Sequence, residues 1–222
     1  NGMIYVRGNP GDFDRWAALT GFAEWDYEHC LPFFKRSETT TNGVDQYRGR
    51  KGPLRVTRGE MNNPLFETFL SATEEAGHVR RDDLNGAEQE GFGSFDRTIY
   101  NGRRFSAAKA YLTPVKQHPN LHIETGCQVL TLASDQGRIT GVNYLRGKQQ
   151  CCSSAAREVI VCAGAINSPK LLLQSGIGPA DELAELSIPL VKHLPGVGKN
   201  LQDHLEVYVQ QACTQPVSIY PA

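Results

Sequence analysis

Residues 159–178 hold the densest chemical signal in the chain, as Val-Ile-Val-Cys-Ala-Gly-Ala-Ile-Asn-Ser-Pro-Lys-Leu-Leu-Leu-Gln-Ser-Gly-Ile-Gly. An apolar run ends in the small residues Ala163, Gly164 and Ala165. Ser168-Pro169 then reads as a helix start, and Gly176-Ile177-Gly178 as its close. Small residues let a ligand approach the main chain closely, and free amides at a helix start favour an anion. The same pattern also describes a tight strand-to-helix packing turn, and the residues alone leave both readings open. Further on, Leu205, Val207 and Val209 alternate with Glu206, Tyr208 and Gln210. A period of two puts Glu206 and Tyr208 on one strand face, a carboxylate beside an aromatic wall. A solvated strand face is the plainer account of that pattern. His204 is a lone histidine of the kind that is more often structural. Gly196-Val197-Gly198 sits in a Pro-led loop and lacks the third glycine of a dinucleotide fingerprint.

The elements that must position these groups are mixed. Residues 3–8 read as a strand or extended stretch. Asp12 opens a short helix as its cap, and Asp26 caps a second over residues 26–35. Residues 39–53 have loop composition. Asn63-Pro64-Leu65 starts an amphipathic helix whose Leu65, Phe69, Ala72 and Ala76 share a face and which Gly77 ends. Residues 82–104 suggest a long structured loop with a short strand at 94–99, and residues 106–112 a short helix stopped near Pro114. Four strand-like runs follow, at 121–125, 128–133, 139–146 and 158–162, with Asp135-Gln136-Gly137 as a turn. A helix through Gln174 and another over 181–186 complete an α/β (α+β) pattern.

The 222 residues suffice for one good-sized core or parts of two domains. A net charge of -1, with Lys and Arg scattered, gives no electrostatic case for a nucleic-acid partner. No run of about 18 apolar residues is present to span a bilayer. The six cysteines form no C-x-x-C and have no His at zinc spacing, so no metal site is expected. They read as reduced thiols of an intracellular compartment, with a structural disulfide as the other reading.

Three blocks carry a family resemblance. Gly164-x-x-x-Ser168-Pro169-x-x-Leu172-Leu173-x-Ser175-Gly176-Ile177-Gly178 resembles the second signature of the glucose–methanol–choline (GMC) oxidoreductases. Asn1-Gly2-Met3-Ile4-Tyr5-Val6-Arg7-Gly8 resembles the end of that family's first signature, and Pro195-Gly196-Val197-Gly198-x-Asn200-Leu201-Gln202-Asp203-His204 the segment after the second. They occur in the family's order and span essentially the whole chain. Residues 82–93, 203–208 and 210–214 are most similar to the choline-oxidising members.

The resemblance implies a partial FAD-binding domain interleaved with the start of a substrate domain. Flavin-binding segments would lie near 1–35 and 115–204, and substrate-domain segments near 60–112 and 205–222. Asn1, Gly2 and Met3 match the stretch beside the flavin ring, Val129 a position whose main chain meets the adenine, and Ala163 and Gly164 the strand end against the ADP half. Glu206 matches a carboxylate that faces the trimethylammonium head of choline, with Tyr208 beside it. A quaternary ammonium donates no N–H hydrogen bond and is held by charge, dispersion and aromatic faces. The family's catalytic histidine and its His or Asn companion match nothing up to Ala222, so no catalytic residue is assigned.

The implied activity is oxidation of choline to betaine aldehyde, with electrons passing to FAD and then to a respiratory quinone, in mitochondria at the inner membrane. A bacterial cytoplasm or inner membrane is the other placement. Another alcohol, a lyase that keeps FAD, or a non-catalytic truncated product are the alternatives. Both ends interrupt family motifs, so the chain reads as an internal piece lacking parts needed to hold FAD tightly and to turn over.

Overall fold

Asn-Pro at positions 9 and 10 and again at 63 and 64 sets two helix starts, because a side-chain carbonyl caps the first amides and proline has none to lose. In a computed structural model, which describes residues 2–217, Asn9 accepts from the Gly11 amide and starts α1 (Pro10–Thr20). Asp12 is therefore a first-turn residue and not the cap: Asn9 already supplies the acceptor. Asp26 does cap α2 (Tyr27–Ser37), accepting from the His29 amide at 2.8 Å. Asn63 caps α3 (Pro64–Glu75).

The chain divides into two units, one running to Leu121 and taking in the stretch from Gln211, the other His122–Gln210. The first is built on very short strands. These are β1 (Ile4–Tyr5), β2 (Glu38–Thr39), β3 (Leu54–Arg55), β4 (Thr57–Arg58), β5 (Asp96–Arg97), β6 (Ile99–Tyr100) and β7 (Arg103–Arg104). They pair as a β1-β5-β4 sheet, a parallel β2-β3 pair and a β6-β7 hairpin. The buried apolar residues here are Val56, Leu70, Leu84 and Ala110. Thus α3 buries Leu70 and Thr73, while Phe69, expected inside, is 57% exposed and packs edge-on against Phe92. Gly77 does terminate the turn, at φ 85°. Residues 108–112 form a π-helical turn that runs into a 3₁₀ turn containing Pro114, so the proline tightens the segment without stopping it.

The second unit is led by an antiparallel meander, β8 (Cys127–Asp135), β9 (Arg138–Arg146) and β10 (Gln149–Ser154), in the order β10-β9-β8. Gln136 and Gly137 both take positive φ, 47° and 79°, as a two-residue hairpin turn demands. Then come α4 (Gly164–Gln174), β11 (Ile177–Gly178), α5 (Ala180–Glu185) and β12 (Lys192–His193), with β11 and β12 paired in parallel. Leu132, Ile177 and Leu183 are the buried apolar residues. The mixed α/β content agrees with the sequence pattern, but residues 121–125 and 158–162 are not strands. A strand is completed by hydrogen bonds to a neighbour, and among the described residues neither run has one; Ile160 is 75% exposed.

The capped start of α2 carries a pH-sensitive pair. His29 Nδ1 lies 2.8 Å from Asp26 Oδ1. Hydrogen bonding to His29 lowers the Asp26 carboxyl, and the Asp26 hydrogen bond and charge raise the imidazole above its usual range. The raised histidine contributes below its unfolded pKa and stops contributing as pH rises through the folded value. The lowered carboxyl contributes above its unfolded pKa, and that contribution is lost as pH falls through the folded value. The pair therefore helps most between the ordinary carboxylate and imidazole ranges. Asp26→Asn, which keeps the cap, should bring the His29 titration midpoint down toward that of a free histidine, read by NMR of the ring; an unmoved midpoint refutes the coupling.

Candidate functional site

In the first unit, β1 pairs with β5 so that Tyr5 faces Asp96 across the ladder, while Met3 accepts the Thr98 amide at 2.8 Å. Beneath it lies a buried lattice of three arginines and three carboxylates. Arg7 meets Glu38 at 2.8 Å, and Arg48 reaches Glu38 at 2.9 Å, Asp83 at 2.6 Å and Asp96 at 2.8 Å. Arg58 adds contacts to Asp96 at 3.2 Å and Asp83 at 3.5 Å. Gly49 lets the loop close on this lattice, donating its amide to Glu38 at 2.9 Å. A Cβ at that position would stand 2.0 Å from the Lys35 carbonyl oxygen. Burial opposes the charge on Arg48, yet hydrogen bonds and charge from Glu38 and Asp96 outweigh it and hold the guanidinium above its usual range. Burial, then the Glu38 charge, raises the Tyr5 phenol.

The same stretch also carries apolar side chains. Met3, Ile4 and Val6 help line an open pocket of about 780 Å³ with Phe66, Phe92 and Phe95. Gly2 is exposed, and a side chain there would meet nothing within 4 Å. Asn1 lies outside the described residues.

In the second unit the helix begins four residues earlier than its Ser-Pro signal. Ala163 is the N-cap residue, Gly164 opens α4 at φ 89°, and Ser168 Oγ accepts from the Ala163 amide at 3.0 Å. The serine thus secures the start from inside the helix, and Pro169 falls within it. No side chain caps the helix, and residues 163–166 are all exposed. Its first-turn amides face open space, the arrangement that suits a phosphate. Val129 lies on β8, an edge strand of the meander, at a bulge where the register jumps from Val129↔Tyr144 to Thr131↔Asn143. A bulged edge leaves main-chain donors and acceptors without ladder partners, which suits the rim of an adenine. Main-chain groups open at the Val129 bulge and at Ala163 and Gly164 have the chemistry that the adenine and the ADP half of FAD would need.

Residues 203–210 form no helix and join no sheet among the described residues. The alternation expected of a strand is present without a ladder, and Leu205 and Tyr208 are fully or largely exposed. Glu206 nevertheless lies near Tyr208: hydrogen bonding and charge from the carboxylate raise the phenol above its usual range. Sequence reasoning missed β10 and the whole arginine lattice. The strand could have been found from the Gly147 turn after β9; the lattice has no local signal. Among the described residues all six cysteines are free thiols, no cluster of three or more His, Cys, Asp and Glu is placed to hold a metal, and no helix is long and apolar enough to cross a membrane.

The GMC oxidoreductase family profile matches residues 1–206, and the chain belongs to that family. Among curated relatives it is 50% identical to the mitochondrial choline dehydrogenase of Mus musculus over 222 residues, which is all of this chain and 37% of that protein. It is 51% identical to the oxygen-dependent choline dehydrogenase of Staphylococcus xylosus over 225 residues, all of this chain and 40% of the relative. The chain thus spans about two fifths of the length of these relatives. Of solved structures, pyridoxine 4-oxidase from Mesorbium loti superposes with a TM-score of 0.85 at 33% identity, over 91% of this chain and 40% of that one. A fungal aryl-alcohol oxidase gives 0.81 at 27% identity, over 91% of this chain and 37% of its own.

Proposed function

We propose that residues 1–222 are the corresponding part of an FAD-dependent choline dehydrogenase that oxidises choline to betaine aldehyde. The observation that carries this is identity of about half the positions with choline dehydrogenases, sustained over the whole chain. Bound FAD would supply the hydride acceptor. The chain's own residues bind and orient: the main chain at Ala163 and Gly164 meets the ADP half, Val129 the adenine, and Asn1, Gly2 and Met3 flank the ring. Segments near 1–35 and 115–204 serve the flavin, and those near 60–112 and 205–222 the substrate side. Glu206 balances the charge of the trimethylammonium head, and Tyr208, whose phenol the nearby carboxylate raises, offers its aromatic face. Mitochondrial placement, which the mitochondrial relatives in mouse and human support, is extended in this proposal to the inner membrane, with a quinone as electron acceptor.

The test uses the protein at its natural length, with its flavin, under anaerobic conditions. Choline should bleach the visible flavin absorption far faster than its uncharged isostere, in which a tert-butyl group replaces trimethylammonium. Equal rates would remove the choline assignment. Faster bleaching by an aromatic alcohol would instead favour the second reading, oxidation of a different alcohol, for which the likeness to pyridoxine 4-oxidase and aryl-alcohol oxidase speaks.

A further inference from the structure

Strand β1 has only two residues in its ladder, too few to fix the stretch firmly by sheet pairing alone. A second set of bonds does so on the same edge, just beyond the end of that ladder. The side-chain amide of Asn85 accepts from the Arg7 amide at 2.8 Å and donates to the Tyr5 carbonyl at 3.1 Å. The carbonyl of one residue and the amide two residues on are the pair a neighbouring strand would engage. Asn85 therefore continues that edge where the ladder with β5 stops at Asp96. Gln89 extends the contact, donating to the Arg7 carbonyl at 2.9 Å.

Asn85 is itself fixed by the ion lattice. Its side chain also donates to Asp96 at 3.3 Å, its own amide donates to Asp83 at 3.0 Å, and it is 2% exposed. Both carboxylates are gripped by Arg48. The chain of bonds runs from Arg48 through two aspartates to Asn85, and from there to the main chain of residues 5 and 7. Met3, Ile4 and Val6 of the same stretch line the apolar pocket, and Met3 is tied to Thr98 at the far end of the ladder, so the bonds at residues 5–7 and that tie fix the stretch from its two ends.

We infer that Asn85, clamped by the arginine–carboxylate lattice, is a positioning residue that latches β1 and thereby sets Gly2 and Met3 against the flavin ring. The flavin half of this inference rests on the function proposed above; the latch does not. It is tested in the natural-length protein by comparing Asn85→Ala with Val56→Ala, a buried truncation in the same unit that leaves the latch intact. Hydrogen exchange across residues 3–7 should quicken about tenfold or more in Asn85→Ala, and should hardly change in Val56→Ala.

The same variant should shift the flavin midpoint potential and visible spectrum and lower kcat with little change in KM. Gln89→Ala, which removes one bond, should move each readout the same way by less, and it serves if Asn85→Ala does not fold. Exchange, potential and kcat that follow stability alone, with Asn85→Ala matching Val56→Ala, overturn the inference. A protein that carries no flavin defeats the proposed function, while the exchange comparison still decides the latch.

Discussion

Arg48→Met should cost about 3–5 kcal/mol of folding stability, the effect of removing one partner from a buried ion network. The reason is the charge it leaves behind. Arg48 is fully buried and contacts Glu38, Asp83 and Asp96 within 2.9 Å. Without it, three carboxylates share only Arg7 and Arg58, and a buried negative charge must be hydrated or protonated. Arg48→Lys should recover only part of the loss, because one ammonium cannot reach three carboxylates as a planar fork does. The comparison is Asp45→Ala, which breaks the pair between Arg50 and a largely exposed Asp45 at 2.7 Å and should cost about 0.5 kcal/mol or less. Urea denaturation of the three variants beside the parent protein reads the difference. Coinciding midpoints for Arg48→Met and Asp45→Ala would mean that the lattice contributes no more than a surface pair.

That lattice also marks what the sequence could and could not convey. Features specified within a few residues were legible: the Asp26 cap, the Asn63-Pro64 helix start, and the β8–β9 hairpin around Asp135-Gln136-Gly137. Features that depend on a distant partner were not. Residues 158–162 have strand composition but join no sheet among the described residues, and their side chains alternate between exposed and half-buried. Ser168-Pro169 was a true helix signal read in the wrong direction, since the serine reaches back to Ala163 and the helix already runs from Gly164. The lattice joins Arg7 to Glu38 across 31 positions and Arg48 to Asp83 across 35. No periodicity links such residues, and each alone resembles an ordinary surface charge. For the site, resemblance named Gly2, Met3, Val129, Ala163 and Gly164, whereas the groups that hold β1 in place emerged only from the fold.

Glu206→Gln should raise the KM for choline by about tenfold to a hundredfold while leaving kcat at saturation within a few-fold. The substitution keeps size and hydrogen-bonding shape and deletes one negative charge. A trimethylammonium group cannot be compensated by a donated hydrogen bond, so charge is the part of the recognition that glutamine cannot replace. The interaction is made in the ground state as well as the transition state, because the ammonium head lies apart from the carbon that loses hydride. Uniform binding of this kind appears in KM and not in kcat. The uncharged isostere supplies the control: its KM should be nearly the same for the parent and for Glu206→Gln. Glu206 also raises the Tyr208 phenol through hydrogen bonding and charge, so Tyr208→Phe separates the two contributions. Phenylalanine keeps the aromatic face, frees the carboxylate, and should leave the KM for choline close to the parent value. A KM for choline that ignores Glu206→Gln would show that the ammonium is recognised elsewhere, and the alternation of residues 205–210 would return to its plainer reading as a solvated face.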